Sequence, residues 1–291
     1  MWFSPNPEAR SPGLKVQIIL RGENMAVFFD THAHLDYPDY ASDLPQVVAR
    51  AEAAGITRMI SIGTDLVSSQ RAIQLSEEYP QIYAAVGWHP SNVLEAPDDF
   101  RSALRTLAAH PRVVAIGETG LDHFRLPGGP AESAENTRYK ERQASLFEQH
   151  LEVASELGLN CVIHQRAAMD ATLMILRSYA AKVRGVFHCF ADNVEALQRV
   201  LALGSIVSFT GILTFKNGQN IRETLAAAPF GHFMLETDSP YLAPVPYRGK
   251  RCEPAYVREI SQVAAQVKNC SEEELSTATC ATARAFFKGL S

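Results

Sequence analysis

The sequence lacks the features of a membrane protein, of a disulfide-stapled secreted domain and of a protein that coats nucleic acid. It has no run of eighteen apolar residues, so no transmembrane helix and no membrane association are predicted. Cysteine is scarce, with five in 291 residues and no CxxC pair. Free thiols in a reduced, cytoplasmic setting are therefore expected. The net charge of −5 argues against a broad basic face, and no obligate protein partner is inferred.

The chain divides into a short N-terminal segment and one large domain. Residues 1–24 contain only a brief apolar patch at 16–20, interrupted by Gln17, which makes a poor signal peptide. We expect this segment to be a disordered or loosely attached extension, with Met25 as an alternative start. Residues 25–291 are expected to form a single domain, because one α/β barrel reaches this length.

Eight strand-like segments alternate with amphipathic helical segments along this domain. The strands are continuous apolar runs, which a parallel sheet buried on both faces requires. They cover 26–32, 58–64, 83–89, 113–119, 161–164, 185–190, 205–211 and 233–238. Helices are predicted at, among others, 44–55, 72–80, 138–158, 194–204, 257–267 and 272–288. The pattern predicts an α/β fold, a (β/α)8 TIM barrel. An open doubly wound sheet would be favoured by a glycine-rich phosphate loop after the first strand, and none is present.

Chemically active side chains recur at the carboxyl ends of the predicted strands, where the active site of such a barrel lies. The first strand ends in FDTHAHLD, and its two histidines point to one side because side chains alternate along a strand. The residues at this end of the barrel are His32, His34, His89, Glu118, His164, His188 and Asp238. Seven such side chains at one rim predict a functional site there.

Metal binding is the favoured interpretation of this rim. His32 and His34 alone are equally compatible with a metal clamp and a hydrogen-bonded pair. The larger set, without His89, offers four imidazoles and two carboxylates, which is more than one ion needs and suits Zn²⁺ or Mn²⁺. Two ions roughly 3.5–4 Å apart would use all six ligands. A purely structural network would need a separate partner for every buried ring. Asp30 has the parity of His32 and is expected to orient a ligand from behind.

A covalent nucleophile is not favoured. Ser239 lies in TDSP and lacks the GxSxG elbow that exposes a nucleophilic serine. Cys161 and Cys189 are out of phase with the histidines on their strands, so they are expected to pack against the outer helices.

Seven stretches of the sequence resemble the TatD family of metal-dependent deoxyribonucleases, within the amidohydrolase superfamily. They are FDTHAHLD, GWHP, AIGETGLD, VIHQRA, GVFHCF, ETDSPYLAP and RGKRCEPAYV, in the order and context of that family. The resemblance extends from about Val27 to the C-terminus and supports a TIM barrel. It implies a site for two divalent cations, Mg, Mn or Zn.

The resemblance also implies a role for each candidate ligand. The first metal would be held by His32, His34 and Asp238, the second by His164 and His188, and Glu118 would bridge both. Asp238 and Glu118 would be the catalytic residues, with Asp238 handling the proton of the nucleophilic water. The implied activity is cleavage of DNA phosphodiester bonds from an end, with single-stranded DNA or DNA ends as the substrate.

Substrate contacts and the substrate itself leave alternatives open. His89 and the cations Arg166, Arg248, Lys250 and Arg251 are the candidates for contact with DNA phosphates. By composition alone, a solvated surface turn is the favoured interpretation of the RGKR segment, and its position after the last strand is what favours phosphate contact. His89 is equally a structural histidine. The same metal centre could hydrolyse an amide, a lactone or an ester, including an aminoacyl ester on tRNA. A non-catalytic binding protein is disfavoured, because all six ligands are retained.

Overall fold

Alternating strands and helices make up the computed structural model, which describes residues 25–129 and 133–290. The strands are β1 (Phe28–Ala33), β2 (Ile56–Ile62), β3 (Ile82–Val86), β4 (Val113–Asp122), β5 (Cys161–Arg166), β6 (Gly185–Phe187), β7 (Ile206–Phe209) and β8 (Phe233–Leu235). The helices are α1 (Leu44–Ala53), α2 (Leu66–Glu78), α3 (Arg101–Ala108), α4 (Ala134–Leu157), α5 (Met169–Arg177), α6 (Val194–Ala202), α7 (Gln219–Ala227), α8 (Val257–Lys268) and α9 (Glu272–Phe286). Short 3₁₀ helices at Pro38–Tyr40, Pro90–Asn92, Gly211–Thr214 and Pro254–Tyr256 lie in the connections.

The eight strands pair in sequence order, all parallel, and the sheet closes on itself. Just after β8, Ser239 bridges Ala33 of β1. The backbone N–H of His34 donates to the carbonyl oxygen of Ser239 at 2.8 Å, and that of Asp238 donates to the carbonyl oxygen of His32 at 2.9 Å. The predicted (β/α)8 barrel is thereby confirmed, and the open doubly wound sheet is excluded.

The inside of the barrel is apolar at the amino ends of the strands. The residues that form this apolar cluster include Phe29, Ile60, Ile62, Tyr83, Val114, Val162, Val186, Ile206 and Met234. Phe286 and Phe287 at the end of α9 belong to the same cluster and are almost fully buried. The last helix therefore closes one end of the barrel, and the polar side chains collect at the other.

A second apolar cluster fills the layer between the strands and the outer helices. The longest helix, α4, shows how local sequence sets the boundaries of this layer. The hydroxyl of Ser133 accepts the backbone N–H of Asn136 at 3.1 Å at its start, a cap worth about 1 kcal/mol. It ends at Gly158, whose φ of 63° lies in the left-handed region that glycine adopts without strain.

Several boundaries differ from the sequence prediction. Strand β4 continues three residues beyond its predicted end, to Asp122, and α4 begins at Ala134, four residues earlier than predicted. The predicted extension over 1–24 lies outside the described residues, so the division of the chain at Met25 stays a prediction. Among the residues that the structure describes, no helix has both the length and the apolar character needed to cross a membrane.

Candidate metal centre

The first group of candidate ligands combines residues of the first strand with a residue that follows the last strand. His32 and His34 extend from β1, and Asp238 follows β8. Oδ1 of Asp238 lies 3.6 Å from Nε2 of His32 and 3.5 Å from Nε2 of His34. The two rings are almost completely buried, whereas the Asp238 side chain keeps 15% of its surface exposed. This carboxylate therefore connects the first group to solvent.

Glu118, on β4, connects this group to a second one. Its Oε2 lies 3.3 Å from Nε2 of His32 and 3.7 Å from Nε2 of His34. Its Oε1 faces the other way, 3.0 Å from Nδ1 of His164 and 2.9 Å from Nε2 of His188. Each oxygen of one carboxylate therefore belongs to a different set of histidines, which is the arrangement of a bridging ligand.

The spacing of these atoms fits divalent cations. In each of three trios the possible ligand atoms lie within 4.8 Å of one another, and the trios are His32–His34–Asp238, His32–Glu118–His188 and His89–Glu118–His164. Tetrahedral ligands at the usual bond lengths are separated by roughly 3.3–3.6 Å, close to the observed contacts. Nε2 of His32 is buried and has no hydrogen-bond partner among the described residues. Such a nitrogen is costly to bury unless a cation or a proton satisfies it.

Burial and charge act against each other at these groups. Burial alone would raise the pKa of Glu118, yet the surrounding imidazoles of His188, His89 and His32 lower it well below its ordinary value. Burial likewise favours neutral histidine, but the nearby carboxylates raise the pKa of His188 and of His164. For His32 burial prevails and its pKa is lowered. A centre this rich in buried carboxylate and imidazole requires positive charge, supplied either by protons or by cations.

His89 also faces the carboxylate of Glu118, but its neutral ring carries the proton on the nitrogen that points at the centre. Its Nε2 lies 3.2 Å from Oε1 of Glu118 and 3.3 Å from Nδ1 of His164. Its Nδ1 accepts the backbone N–H of Ser91 at 3.1 Å, so in the neutral ring the proton is on Nε2. A nitrogen that carries a proton has no lone pair for a metal. His89 is therefore placed as a hydrogen-bond donor that faces the centre.

Asp30 supports the centre through the backbone rather than through a histidine ring. Its Oδ1 accepts the backbone N–H groups of His32 and Thr237, and its Oδ2 accepts the Thr237 hydroxyl at 2.6 Å. Burial raises the pKa of Asp30 to about 8. Among the described residues, Asp30 has no hydrogen bond to a histidine ring, which is the contact that the sequence led us to expect. Asp30 instead joins β1 to the end of β8.

Two carboxylates outside the predicted ligand set lie against the second histidine group. Glu236 accepts the backbone N–H of Cys189 at 2.6 Å and lies 3.7 Å from Nδ1 of His188. Asp122, at the end of β4, places Oδ2 3.2 Å from Nε2 of His164. Burial opposes ionisation of Asp122, but hydrogen bonds from His164 and from the backbone bring its pKa to about 2. Its parity with Glu118 on one strand was the available signal.

Backbone strain is concentrated at this rim. Asp238 has a φ of 58° and Cys189 a φ of 46°, values that non-glycine residues rarely adopt. Each residue is held by its backbone N–H, which donates to the carbonyl oxygen of His32 and to the carboxylate of Glu236, respectively. Strain of this kind costs on the order of 1–3 kcal/mol and collects at functional sites. It turns the Asp238 side chain towards the histidines.

The predicted phosphate-binding cations fall into two classes. Arg251 is engaged, since its guanidinium donates to both carboxylate oxygens of Asp43 at 2.7 Å. Arg166 stacks on the ring of Phe124, and Arg248 and Lys250 are exposed. Within the described residues, no carboxylate forms an ion pair with any of these three. They are the cations whose charge remains available for a phosphate.

Aromatic rings surround the entrance to the centre. The Tyr37 ring stacks on His34 with centroids 4.7 Å apart, and Tyr241 meets both rings edge-on at 6.3–6.4 Å. Tyr241 is 55% exposed and Phe124 is 63% exposed. They follow β8 and β4, which lie on opposite sides of an eight-stranded barrel. Flat apolar surfaces therefore lie on two sides of the candidate metal ligands.

Comparison with known proteins identifies the family. The model of the family described as TatD related DNase matches residues 29–288. The chain is 35% identical to the uncharacterized metal-dependent hydrolase YabD of Bacillus subtilis over 263 residues, 90% of this chain and 99% of YabD. The chain belongs to the TatD family. As a TatD family member it is a metal-dependent hydrolase, and its cofactors are metal ions held at clusters of His, Glu and Asp.

Other TatD relatives extend this likeness to nuclease-named proteins and to a solved structure. The 3'-5' ssDNA/RNA exonuclease TatD of Pantoea vagans is 35% identical over 267 residues, which are 89% of this chain and 99% of that protein. The crystal structure of YjjV, a TatD homologue of Escherichia coli K12, superposes with a TM-score of 0.81 at 26% identity. The superposition covers 90% of this chain and 98% of that one.

Proposed function

We propose that the protein is a nuclease that removes nucleotides from DNA ends with two divalent cations. The ligands would be His32, His34, Glu118, His164, His188 and Asp238. The observation that carries the proposal is Glu118, whose two oxygens face two separate groups of histidines 2.9–3.7 Å away. The exonuclease name of the Pantoea vagans relative supports a nucleic-acid substrate with a free end.

The side chains have distinct duties in the hydrolysis. Bound cations would lower the pKa of water and polarise the phosphoryl oxygen. Asp238 would take the proton of the attacking water, because it is the most exposed carboxylate among the proposed ligands. His89 holds a proton on Nε2 and would donate it towards the phosphoryl group or the departing oxygen. Glu118, sealed from solvent, would keep both cations in place.

The substrate would lie across the entrance. Arg166, Arg248 and Lys250 would contact phosphate oxygens, for which the fork of arginine is well suited. Tyr241 and Phe124 would stack on bases, and stacking of this kind contributes about 1–3 kcal/mol per base in proteins that bind single strands. Arg251 would act indirectly, because its ion pair with Asp43 ties the segment after β8 to the start of α1.

The catalytic unit would be residues 25–291, acting in the cytoplasm. The five cysteines are free, three of them buried, as expected for a protein of a reducing compartment.

A substrate panel tests the proposal. Purified protein is incubated with single-stranded DNA, duplex DNA and RNA labelled at either end, and with model esters and lactones. Each reaction is repeated with a chelator and with Glu118→Gln. Release of nucleotides from one end of single-stranded DNA, lost in both controls, is the expected result. Hydrolysis of lactones or esters without nucleotide release would contradict the proposal and favour the carbonyl substrates that a related metal centre can also serve.

A further inference from the structure

We propose that Asp122 is a positioning residue that fixes His164 in the tautomer needed to bind a metal through Nδ1, and that anchors the loop after β4 to this ligand. The inference rests on the proposed ligand set, in which His164 is a metal ligand. Asp122 lies outside that set, and its proposed role is to position His164.

His164 differs from the other proposed histidine ligands in the nitrogen that it presents. His32, His34 and His188 direct Nε2 to the carboxylates of the centre. His164 directs Nδ1 to Glu118 at 3.0 Å and turns Nε2 away from the centre. Nδ1 of a free neutral imidazole carries the proton in one of two tautomers, so this presentation needs a partner that selects the other.

Asp122 is that partner. Its Oδ2 lies 3.2 Å from Nε2 of His164, and a carboxylate can only accept, so the proton must be on Nε2. Nδ1 is then left with its lone pair directed at the centre. A hydrogen bond from the remote nitrogen of a metal-bound histidine to a carboxylate is a general way to fix the tautomer and the ring orientation.

Hydrogen bonds fix both the backbone and the carboxylate of Asp122. Its backbone N–H donates to the side-chain oxygen of Gln143, and its carbonyl oxygen accepts the Gln143 amide, both at 3.1 Å. Its Oδ1 accepts the backbone N–H groups of Phe124 at 2.9 Å and Arg125 at 3.3 Å. One carboxylate oxygen therefore serves the metal ligand and the other serves the loop that carries the exposed ring of Phe124.

This division makes Asp122→Asn a sharp test. The two loop N–H groups draw the amide oxygen of asparagine to their side, so its NH₂ must face Nε2 of His164. That nitrogen then has to accept, and the proton moves to Nδ1, where it blocks the metal. We expect one of the two metal equivalents to bind about 10- to 100-fold more weakly, with the other unchanged, in a calorimetric titration with Mn²⁺.

The matched control is Asp192→Asn. Asp192 accepts the side-chain amide of Gln165, the residue next to His164, at 3.1 Å, and does not touch the ring. The Asp192→Asn substitution removes the same charge from the surroundings of His164, and both metal equivalents should bind as in the wild type. A weakening as large as that of Asp122→Asn would show that charge alone matters and would overturn the inference.

Two further measurements separate failure of this inference from failure of the proposed function. If His164→Ala leaves both metal equivalents intact, the ligand set is wrong. If His164→Ala loses one equivalent and Asp122→Asn loses none, only the role of Asp122 is wrong. Nitrogen NMR of the zinc-loaded wild type tests the inference without any substituted protein. It should show His164 protonated at Nε2 and metal-bound at Nδ1, and the opposite pattern at that ring would refute the inference.

Discussion

His150 is buried and His164 is partly buried, both have a partner at each ring nitrogen, and they differ in the charge of those partners. His150, on α4, donates from Nδ1 to the carbonyl oxygen of Leu146 at 2.7 Å and accepts the backbone N–H of Trp88 at 2.8 Å. His164 has the carboxylates of Glu118 and Asp122 in the equivalent places.

The electrostatic outcome is opposite in the two rings. Burial lowers the pKa of His150 to about 4, because the hydrogen bond to the Leu146 carbonyl oxygen offsets only part of the cost of burying an imidazolium. Burial acts on His164 too, yet its carboxylate partners raise its pKa. Burial therefore does not distinguish a structural histidine from a candidate ligand. The charge of the two partners does, and the predictions below are designed to test that distinction.

The largest effect is expected from removing the negative charge of Glu118, which both groups of candidate histidine ligands contact. Glu118→Gln keeps the shape of the side chain and withdraws the negative charge from both histidine groups. Turnover should fall by roughly 10³-fold or more, since losing a single electrostatic stabiliser already costs about 10²–10³. Steady-state nuclease assays measure this, with His150→Gln as the variant that keeps its metals and most of its activity. Near-normal turnover of Glu118→Gln would remove the basis of the two-metal interpretation.

Metal removal should separate the two histidines by their effect on stability. At a free metal concentration of 100 times Kd, each bound ion stabilises the fold by about 2.7 kcal/mol. A chelator should therefore lower the Tm of the wild type and of His150→Gln by the same amount. His164→Ala should respond less, because one ion is already weakened. An equal response of all three proteins in differential scanning calorimetry would contradict a ligand role for His164.

The pH dependence of stability should reveal His150. Its folded pKa of about 4 lies below the ordinary value of 6.5, so the unfolded chain binds the proton more readily. The stability linked to this ring is complete above pH 6.5 and is lost as the pH falls towards 4. Between pH 7 and pH 5, we expect the wild type to lose about 2 kcal/mol more than His150→Gln. Urea unfolding in the presence of chelator measures the difference, and identical losses would disprove it.

The smallest effect is expected from substituting two arginines, which differ, like the two histidines, in the charge of their partners. Arg166 stacks on Phe124 and its charge is available, whereas Arg251 is already paired with Asp43. Arg166→Ala should reduce the slope of log K against log salt by about 0.7 for a single strand. Arg251→Ala should leave that slope unchanged and lower the Tm instead. Fluorescence anisotropy with labelled DNA tests this, and a reduced slope in Arg251→Ala would show direct phosphate contact.

The sequence predicts the strand ends well because strand alternation and barrel topology are strong constraints. His32 and Asp238 are separated by two hundred residues, yet both follow from the rule that parallel strands end at one rim. Asp122 was missed because β4 was predicted to end at Thr119, three residues before it. The strand in fact continues through Gly120 and pairs with β5 up to Asp122.

Other details depend on contacts that no local pattern encodes. The pairing of Arg251 with Asp43 joins residues 208 positions apart and decides whether a basic turn is available to a ligand. The partners of His150 come from a different strand end and from its own helix. The role of Asp30 depends on its hydrogen bonds with Thr237, which lies 207 positions away. Each follows from packing in three dimensions rather than from residue type.

Closure of the barrel between Ala33 and Ser239 has a consequence for the order in which the centre is assembled. During synthesis, Glu118, His164 and His188 have all been made once residue 188 emerges, whereas Asp238 appears fifty residues later. A nascent chain therefore carries one complete set of candidate ligands before the other set is complete. The helix that closes the opposite end of the barrel, α9, is made after all of these ligands. The first histidines to be made, His32 and His34, precede Asp238, the second carboxylate that they contact, by more than two hundred residues.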